Sequence, residues 1–170
     1  MNVTQLTRLL HSRPAATPVG GVGLRTYAGE VDIQRWMQIR RSAFAREAIG
    51  VGDWSLSDFQ REFLSKTWWH PEVMWFAELT ATPLQQAAPE PQSIGTVTLA
   101  RRGEGPAAKP VAHWLAVLPA YRGRGIGRLL MAAVEAAAWN AGHRQVWLET
   151  HAGWTAAAAF YERLGYRPTQ

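Results

Sequence analysis

Residues 115–130 read LAVLPAYRGRGIGRLL, and the reading of this stretch decides the fold. A short apolar run closes at Pro119. A turn follows with a glycine at every second position (Gly123, Gly125, Gly127) among Arg122, Arg124 and Arg128. An apolar-periodic segment starts at once, with Ile126, Leu129, Leu130, Ala133, Val134, Ala137 and Ala141 on one helical face. A strand, a glycine-rich basic turn and a helix N-terminus together offer backbone N–H groups and the positive end of a helix dipole to an anion. The order predicts a phosphate-bearing ligand, against a bare tight turn as the competing reading. Two other phosphate loops do not fit. No Lys-Ser or Lys-Thr follows the glycines, as GxxxxGK[ST] requires. GxGxxG fails because Gly127 is two residues after Gly125 rather than three, and no second mononucleotide-binding half follows.

Working outward, Gly142 stands where a helix stop belongs, and residues 145–150 read as a strand. This predicts a parallel crossover: strand 111–117, helix 126–141, strand 145–150. A last helix runs from about 154 to 164, stopped by Gly165, with a final strand near Tyr166. Upstream, residues 24–28 read as a strand and 31–45 as a helix. Ser57 is taken as the N-cap of a second helix carrying Phe59, Phe63 and Leu64. Residues 72–79 read as a strand, and the alternation across 94–99 predicts a half-buried one. Val3, Leu6, Leu9 and Leu10 suggest a short amphipathic helix over 3–12, broken by PAATPVGGVG. Residues 1–22 are therefore expected to be a partly flexible N-terminal extension, and 23–170 the domain.

The chain has 170 residues, 47% hydrophobic and 18% charged, as one globular domain requires. It has no cysteine, which excludes disulfides, thiolate metal sites and a cysteine nucleophile. No apolar run approaches the ~18–20 residues of a membrane span, and the N-terminus lacks the apolar core of a signal peptide. A cytoplasmic protein without a membrane partner is expected. The formal charge of +5 favours anionic partners. The arginines are scattered, with no block of five or six like charges, which speaks against nucleic acid. His11, His70, His143 and His151 lack metal-ligand spacing, so no metal is expected.

RGRGIG also fits the Arg/Gln-x-x-Gly-x-Gly/Ala signature of the GNAT superfamily of N-acetyltransferases. The wider run VAHWLAVLPAYRGRGIGRLLMAAVE resembles that family's central motif, and AAAAFYERLGY its last motif; together they cover about the last third of the chain. The resemblance implies an α/β fold: a single GNAT-like domain whose mixed, mostly antiparallel sheet has splayed central parallel strands and is flanked by helices. It implies acetyl-CoA as cofactor, wedged between strands 111–117 and 145–150. The backbone of Leu115, Ala116 and Val117 would pair with the pantetheine arm. The amides of Arg122, Gly123, Arg124, Gly125, Ile126 and Gly127, with Arg128 near them, would hold the pyrophosphate. The implied activity is acetyl transfer to a primary amine of a small molecule by direct attack in a ternary complex. The alternative is a non-catalytic acyl-CoA-binding regulatory domain of the same fold. Dimers are common in the family, so a homodimer is carried as an analogy.

An amine with a pKa of ~10.4 is neutral in only about one molecule in 10³ at pH 7, so a base is useful. His113 is the first choice, since imidazole titrates near neutrality. Strand alternation would put it on the side of Leu115 and Val117, and some arylalkylamine-acetylating members of the family carry a histidine at a matching position. A structural histidine is the competing reading. Glu149, at the end of the opposing strand, is the second choice. Tyr161 matches the family's motif tyrosine, which implies a hydrogen bond or proton for the departing thiolate; a core aromatic is the competing reading. The family often has Asn seven residues before this tyrosine, where this chain has Trp154. The carbonyl oxygen is expected at a strand-bulge amide, that of Val117. Direct attack is favoured over ping-pong because no cysteine is present to take the acyl group. In this family the first two helices build the acceptor site, which here offers Trp36, Phe44, Glu47, Asp53, Trp54 and Asp58. Trp68 and Trp69 suit either a helix end in the core or a dimer face.

Overall fold

The computed structural model describes residues 3–44, 52–80 and 91–169. The strands are β1 (Val3–Leu9), β2 (Val22–Thr26), β3 (Met74–Leu79), β4 (Ser93–Arg102), β5 (Lys109–Val117), β6 (Gln145–His151) and β7 (Arg167–Pro168). The helices are α1 (Val31–Ala43), α2 (Leu56–Phe59, continued by a π-helical turn over Gln60–Leu64), α3 (Ile126–Asn140) and α4 (Thr155–Arg163). The strands form one sheet in the order β2-β3-β4-β5-β6-β1-β7. Only β5 and β6 run parallel; the other neighbours are antiparallel. This is the mixed, helix-flanked α/β sheet that the resemblance implied.

Each face of the sheet carries its own core. On one, Ile126, Leu130, Met131 and Val134 of α3 pack onto Ile94, Val97, Val146 and Leu148. On the other, Ile33, Trp36 and Ile39 of α1 join Phe59, Phe63, Met74, Phe76 and Ala116. Covered on both faces, β4 is buried from Ile94 to Ala100, so the half-buried strand expected there is a fully buried one. Its threonines add polar atoms to the interior, and Thr96 Oγ1 donates to Trp75 O at 2.9 Å.

Two expectations are overturned. The segment read as helix 3–12 within an N-terminal extension is strand β1, an internal strand paired with β6 over seven residues and with β7 on its other side. Its leucines fit a helical stripe, but β6 has a long unpaired edge, and satisfying those backbone groups outweighs local propensity. The N-cap of α2 is Ser55 rather than Ser57: Ser55 Oγ accepts from Asp58 N–H and the Asp58 carboxylate accepts from Ser55 N–H, a reciprocal capping box.

The later helices end as expected. Gly142 (φ 92°) and Gly165 (φ 93°) take the left-handed conformation after α3 and α4, and the residues following them close Schellman bonds, His143 N–H to Ala138 O and Tyr166 N–H to Tyr161 O. Buried Glu135 of α3 accepts from Arg8 of β1 at 2.7 Å and from the Tyr166 hydroxyl at 2.9 Å, tying both ends of the chain to that helix.

Candidate active site

β5 and β6 pair only at Val111↔Trp147 and Ala112↔Leu148. Beyond Ala112 they diverge, and the gap opens into a cleft of about 730 Å³. Its walls include Leu115, Ala116 and Val117 of β5, Glu149 of β6 and Tyr161 of α4. At one end lies the turn before α3. Gly123 (φ 75°) and Gly125 (φ 85°) adopt left-handed conformations that a Cβ would strain. Gly125 is the N-cap of α3, and no side chain caps that helix. The first backbone bond is Leu129 N–H to Gly125 O at 3.0 Å. The amides of Gly123, Arg124, Gly125, Ile126, Gly127 and Arg128 therefore have no partner among the described residues, the electropositive cradle an anion needs. Gly127 answers a packing demand as well: a Cβ there would lie 3.1 Å from Phe160 Cζ of α4.

The arginines divide. Arg128 lines the cleft, joined by Arg102 and Arg163, which sequence reading missed. Arg124 instead sits over the Tyr121 ring at 5.3 Å. Arg122 also lines the cleft but is tied up as a strut. Its guanidinium donates to Ala43 O at 2.6 Å and Val117 O at 3.1 Å, and its amide to Pro119 O at 3.3 Å. It thereby joins the end of α1 to the end of β5.

At the other end of the cleft β5 carries a bulge. Thr96 faces Ala116 and Thr98 faces His113, so Trp114 and Leu115 together oppose Val97. The bulge is at Trp114 and Leu115, not at Val117 as expected. Trp114 has φ 52°, a conformation costing a non-glycine residue about 1–3 kcal/mol. The extra residue resets the alternation. His113 and Trp114 both turn to the α1–α2 side, while Leu115 and Val117 pack against the α3 core. The side shared by His113, Leu115 and Val117 in a regular strand is thus broken.

On that side both rings meet Glu62, which sequence reading missed. His113 Nε2 lies 2.5 Å from Glu62 Oε1, and Trp114 Nε1 donates to the same oxygen at 3.4 Å. The His113 hydrogen bond, against the opposing push of burial, holds the Glu62 carboxyl below its ordinary value. The legible signal was the Ser55-x-x-Asp58 box, which starts a helix burying Phe59 and Phe63 and leaves Glu62 beside them. Glu149 is engaged elsewhere: it pairs with Arg102 and accepts from Gln5 Nε2 at 3.2 Å. The Tyr161 ring is partly buried, its hydroxyl has no partner among the described residues, and burial drives its pKa far above the ordinary value.

Trp154, at the N-cap of α4, stacks on Phe44 at 5.4 Å and 19°. Its Nε1 and the Thr150 Oγ1 are buried on the cleft walls without a partner among the described residues. Of the residues expected to form the acceptor site, Phe44 lines the cleft. Trp36 and Trp54 lie behind it in the aromatic core, Trp54 beneath the Arg40 guanidinium at 4.4 Å. Asp58 caps α2, Asp53 pairs with Arg41, and Glu47 lies outside the described residues. Trp69 packs inward on Tyr27 and Phe63, and Trp68 against both cores. No cluster of metal-ligating side chains occurs among the described residues, and no helix among them is long and apolar enough to cross a membrane.

Residues 72–168 match the acetyltransferase (GNAT) domain family. The chain belongs to that family. Two curated relatives are both called mycothiol acetyltransferase. The one from Thermobispora bispora is 30% identical over 162 residues, 91% of this chain and 51% of the relative. The one from Nocardia farcinica is 31% identical over 149 residues, 87% of this chain and 46% of the relative. The chain thus spans about half the length of the curated relatives it matches. Among solved structures, a GCN5-related N-acetyltransferase from Sphaerobacter thermophilus shares the fold with TM-score 0.74 at 21% identity, covering 98% of this chain and 48% of that one. AAC(6')-Iy, solved in complex with the bisubstrate analog CoA-S-monomethyl-acetylneamine, matches with TM-score 0.61 at 19% identity over 88% of this chain and 92% of that one.

GNAT acetyltransferases use acetyl-CoA. The site suits that group by the chemistry of its donors. Six unpartnered amides are available to an anion beside Arg128, the β5 edge toward β6 is unpaired beyond Ala112, and Tyr161 lines the same cleft.

Proposed function

We propose that this chain is an N-acetyltransferase that moves an acetyl group from acetyl-CoA to a primary amine of a small molecule by direct attack in a ternary complex. The observation that carries this reading is the convergence of an uncapped anion cradle, His113 and Tyr161 on one cleft opened by the splay of β5 and β6. The names of the curated relatives and of the AAC(6')-Iy complex support acetyl transfer to a small molecule.

When bound, acetyl-CoA supplies a thioester, an acyl carbon already activated toward an amine. The amides of Gly123 to Gly127, with Arg128, would hold its diphosphate. The backbone of Leu115, Ala116 and Val117 would pair with its amide-bearing arm. His113 would take the proton of the acceptor amine, since the residue lines the cleft and its Nδ1 has no hydrogen bond among the described residues. Tyr161 keeps its proton because burial disfavours the phenolate. It serves as a hydrogen-bond donor to negative charge developing at the sulfur position. Glu149, neutralised by Arg102, is better placed to hold the wall of β6 than to act as a base.

The test is thiol release from acetyl-CoA across a panel of small primary amines, with native mass spectrometry for bound coenzyme. Amine-dependent thiol release is the expected result. Coenzyme binding without release to any amine would leave the acyl-CoA-binding regulatory domain in its place.

A further inference from the structure

We propose that Glu62 is the positioning residue for His113, its carboxylate holding the ring hydrogen on Nε2 so that Nδ1 is left as the proton acceptor in the cleft. This rests on the reading of His113 as the base. Three observations meet here. First, the 2.5 Å contact joins residues 51 apart in the chain, and an ionised carboxylate only accepts, so a neutral His113 must carry its hydrogen on Nε2. Second, Trp114 Nε1 donates to the same oxygen, which fixes the carboxylate from a second direction. Third, both donors reach Glu62 only because the bulge turns consecutive residues to one side of β5, in a backbone conformation a tryptophan rarely takes. Glu62 itself sits in a π-helical turn, closed by Ser65 N–H to Gln60 O at 2.9 Å, a form often found at functional sites. Glu62 is not part of the cleft wall, whereas His113 is, so the carboxylate acts through the ring and not on the substrate.

The charged groups bearing on the pair are Lys66, which favours the ionised Glu62, and the imidazole itself. The acceptor amine's proton would pass to Nδ1 as the nitrogen–acyl bond forms and the acyl carbon–sulfur bond breaks, the sulfur leaving as the thiolate of coenzyme A. The imidazolium so formed keeps its Nε2–H on Glu62, and the proton later leaves to solvent. The charge that appears on the ring is thus met by a carboxylate already in place, with no reorganisation during the transfer.

The test is long-range ¹H–¹⁵N correlation on ¹⁵N-histidine-labelled protein, recorded at alkaline pH, with His113 assigned by its loss in H113Q. Wild type should show His113 as the Nε2–H form alone. E62A, and the volume-conserving E62Q as a guard against local collapse, should show a mixture with the Nδ1–H form. In turnover, E62A should lower kcat on the order of 10²-fold, the scale of a misplaced catalytic group, with KM for acetyl-CoA and calorimetric binding of coenzyme A unchanged. A wild-type ring protonated on Nδ1, or an identical tautomer pattern in both variants, overturns the proposal. Failure of the base reading is seen separately, as full turnover in H113Q whatever the tautomer result.

Discussion

The two ends of the cleft are built on opposite principles. The anion cradle is main chain: six amides from a continuous run of residues, kept open by glycines and left uncapped at the start of α3. The end proposed for the acceptor is side chain: His113 and Trp114 from β5, Phe44 from the end of α1 and Trp154 from the start of α4, with Glu62 of the π-helical turn bonded to both β5 rings. The first should tolerate changes of side chain and fail when a Cβ is added. The second should tolerate backbone adjustment and fail when a side chain is lost. A ligand held by amides is recognised by its phosphates, and one held by converging side chains by its shape and proton chemistry, so cofactor and acceptor specificity can vary independently on this fold.

That contrast is sharpest for His113→Ala. Loss of a general base should lower kcat by about 10²–10⁴-fold, while calorimetric coenzyme A affinity stays at the wild-type value; a parallel loss of affinity would break the division between the ends. Next comes the double variant Gly123→Ala/Gly125→Ala. Each residue in the left-handed region should cost about 1–2 kcal/mol. If the strained turn relaxes, coenzyme A affinity falls by roughly 30-fold to 10³-fold, measured by calorimetry, with the His113–Glu62 contact intact by NMR. Tyr161→Phe removes a donor worth about 1.5–3 kcal/mol to a charged group, about 10- to 150-fold in kcat. Its thermal midpoint should hold because the hydroxyl has no partner among the described residues; a drop in midpoint with full activity would make Tyr161 a packing residue.

Smaller effects separate packing from chemistry. Trp154→Phe keeps the stack on Phe44 and deletes a buried, unpartnered N–H. It should raise stability by about 1 kcal/mol in denaturant unfolding; a loss would mean that the indole N–H is satisfied in solution. Glu62 supplies the pH dependence. Its folded-state pKa lies below the ordinary value near 4.5, so its contribution to stability is complete above that value and fades as pH falls through the folded-state pKa. The stability gap between wild type and E62Q should therefore narrow on acidification below pH 4.5, read by urea unfolding at stepped pH. A gap independent of pH would show that the carboxylate is not ionised against His113.

Legibility in the sequence followed the same division. The turn from Arg122 to Arg128, the face of α3 and the glycine stops at Gly142 and Gly165 were readable because each depends on residues within one or two turns of one another. The crossover β5–α3–β6 followed from their order. Residues 3–9 were misread because Leu6, Leu9 and Leu10 suit a helix as well as a strand, and only the bare edge of β6 decides between them. Strand alternation puts His113 on the side of Leu115 and Val117, whereas the structure turns it to the other, since one extra residue in a strand is invisible to alternation. Glu62 had no local mark beyond a helix start at Ser55.

What the sequence by itself determined is the phosphate-type corner and the α/β order of elements, because backbone amides, glycine conformations and helix periodicity are short-range properties carried by contiguous residues. What only the tertiary structure decided is the pairing of His113 with Glu62 and the place of the first strand. Those depend on which surfaces meet: an edge of β6 that must be paired, and a bulge that brings a histidine to a carboxylate 51 residues away.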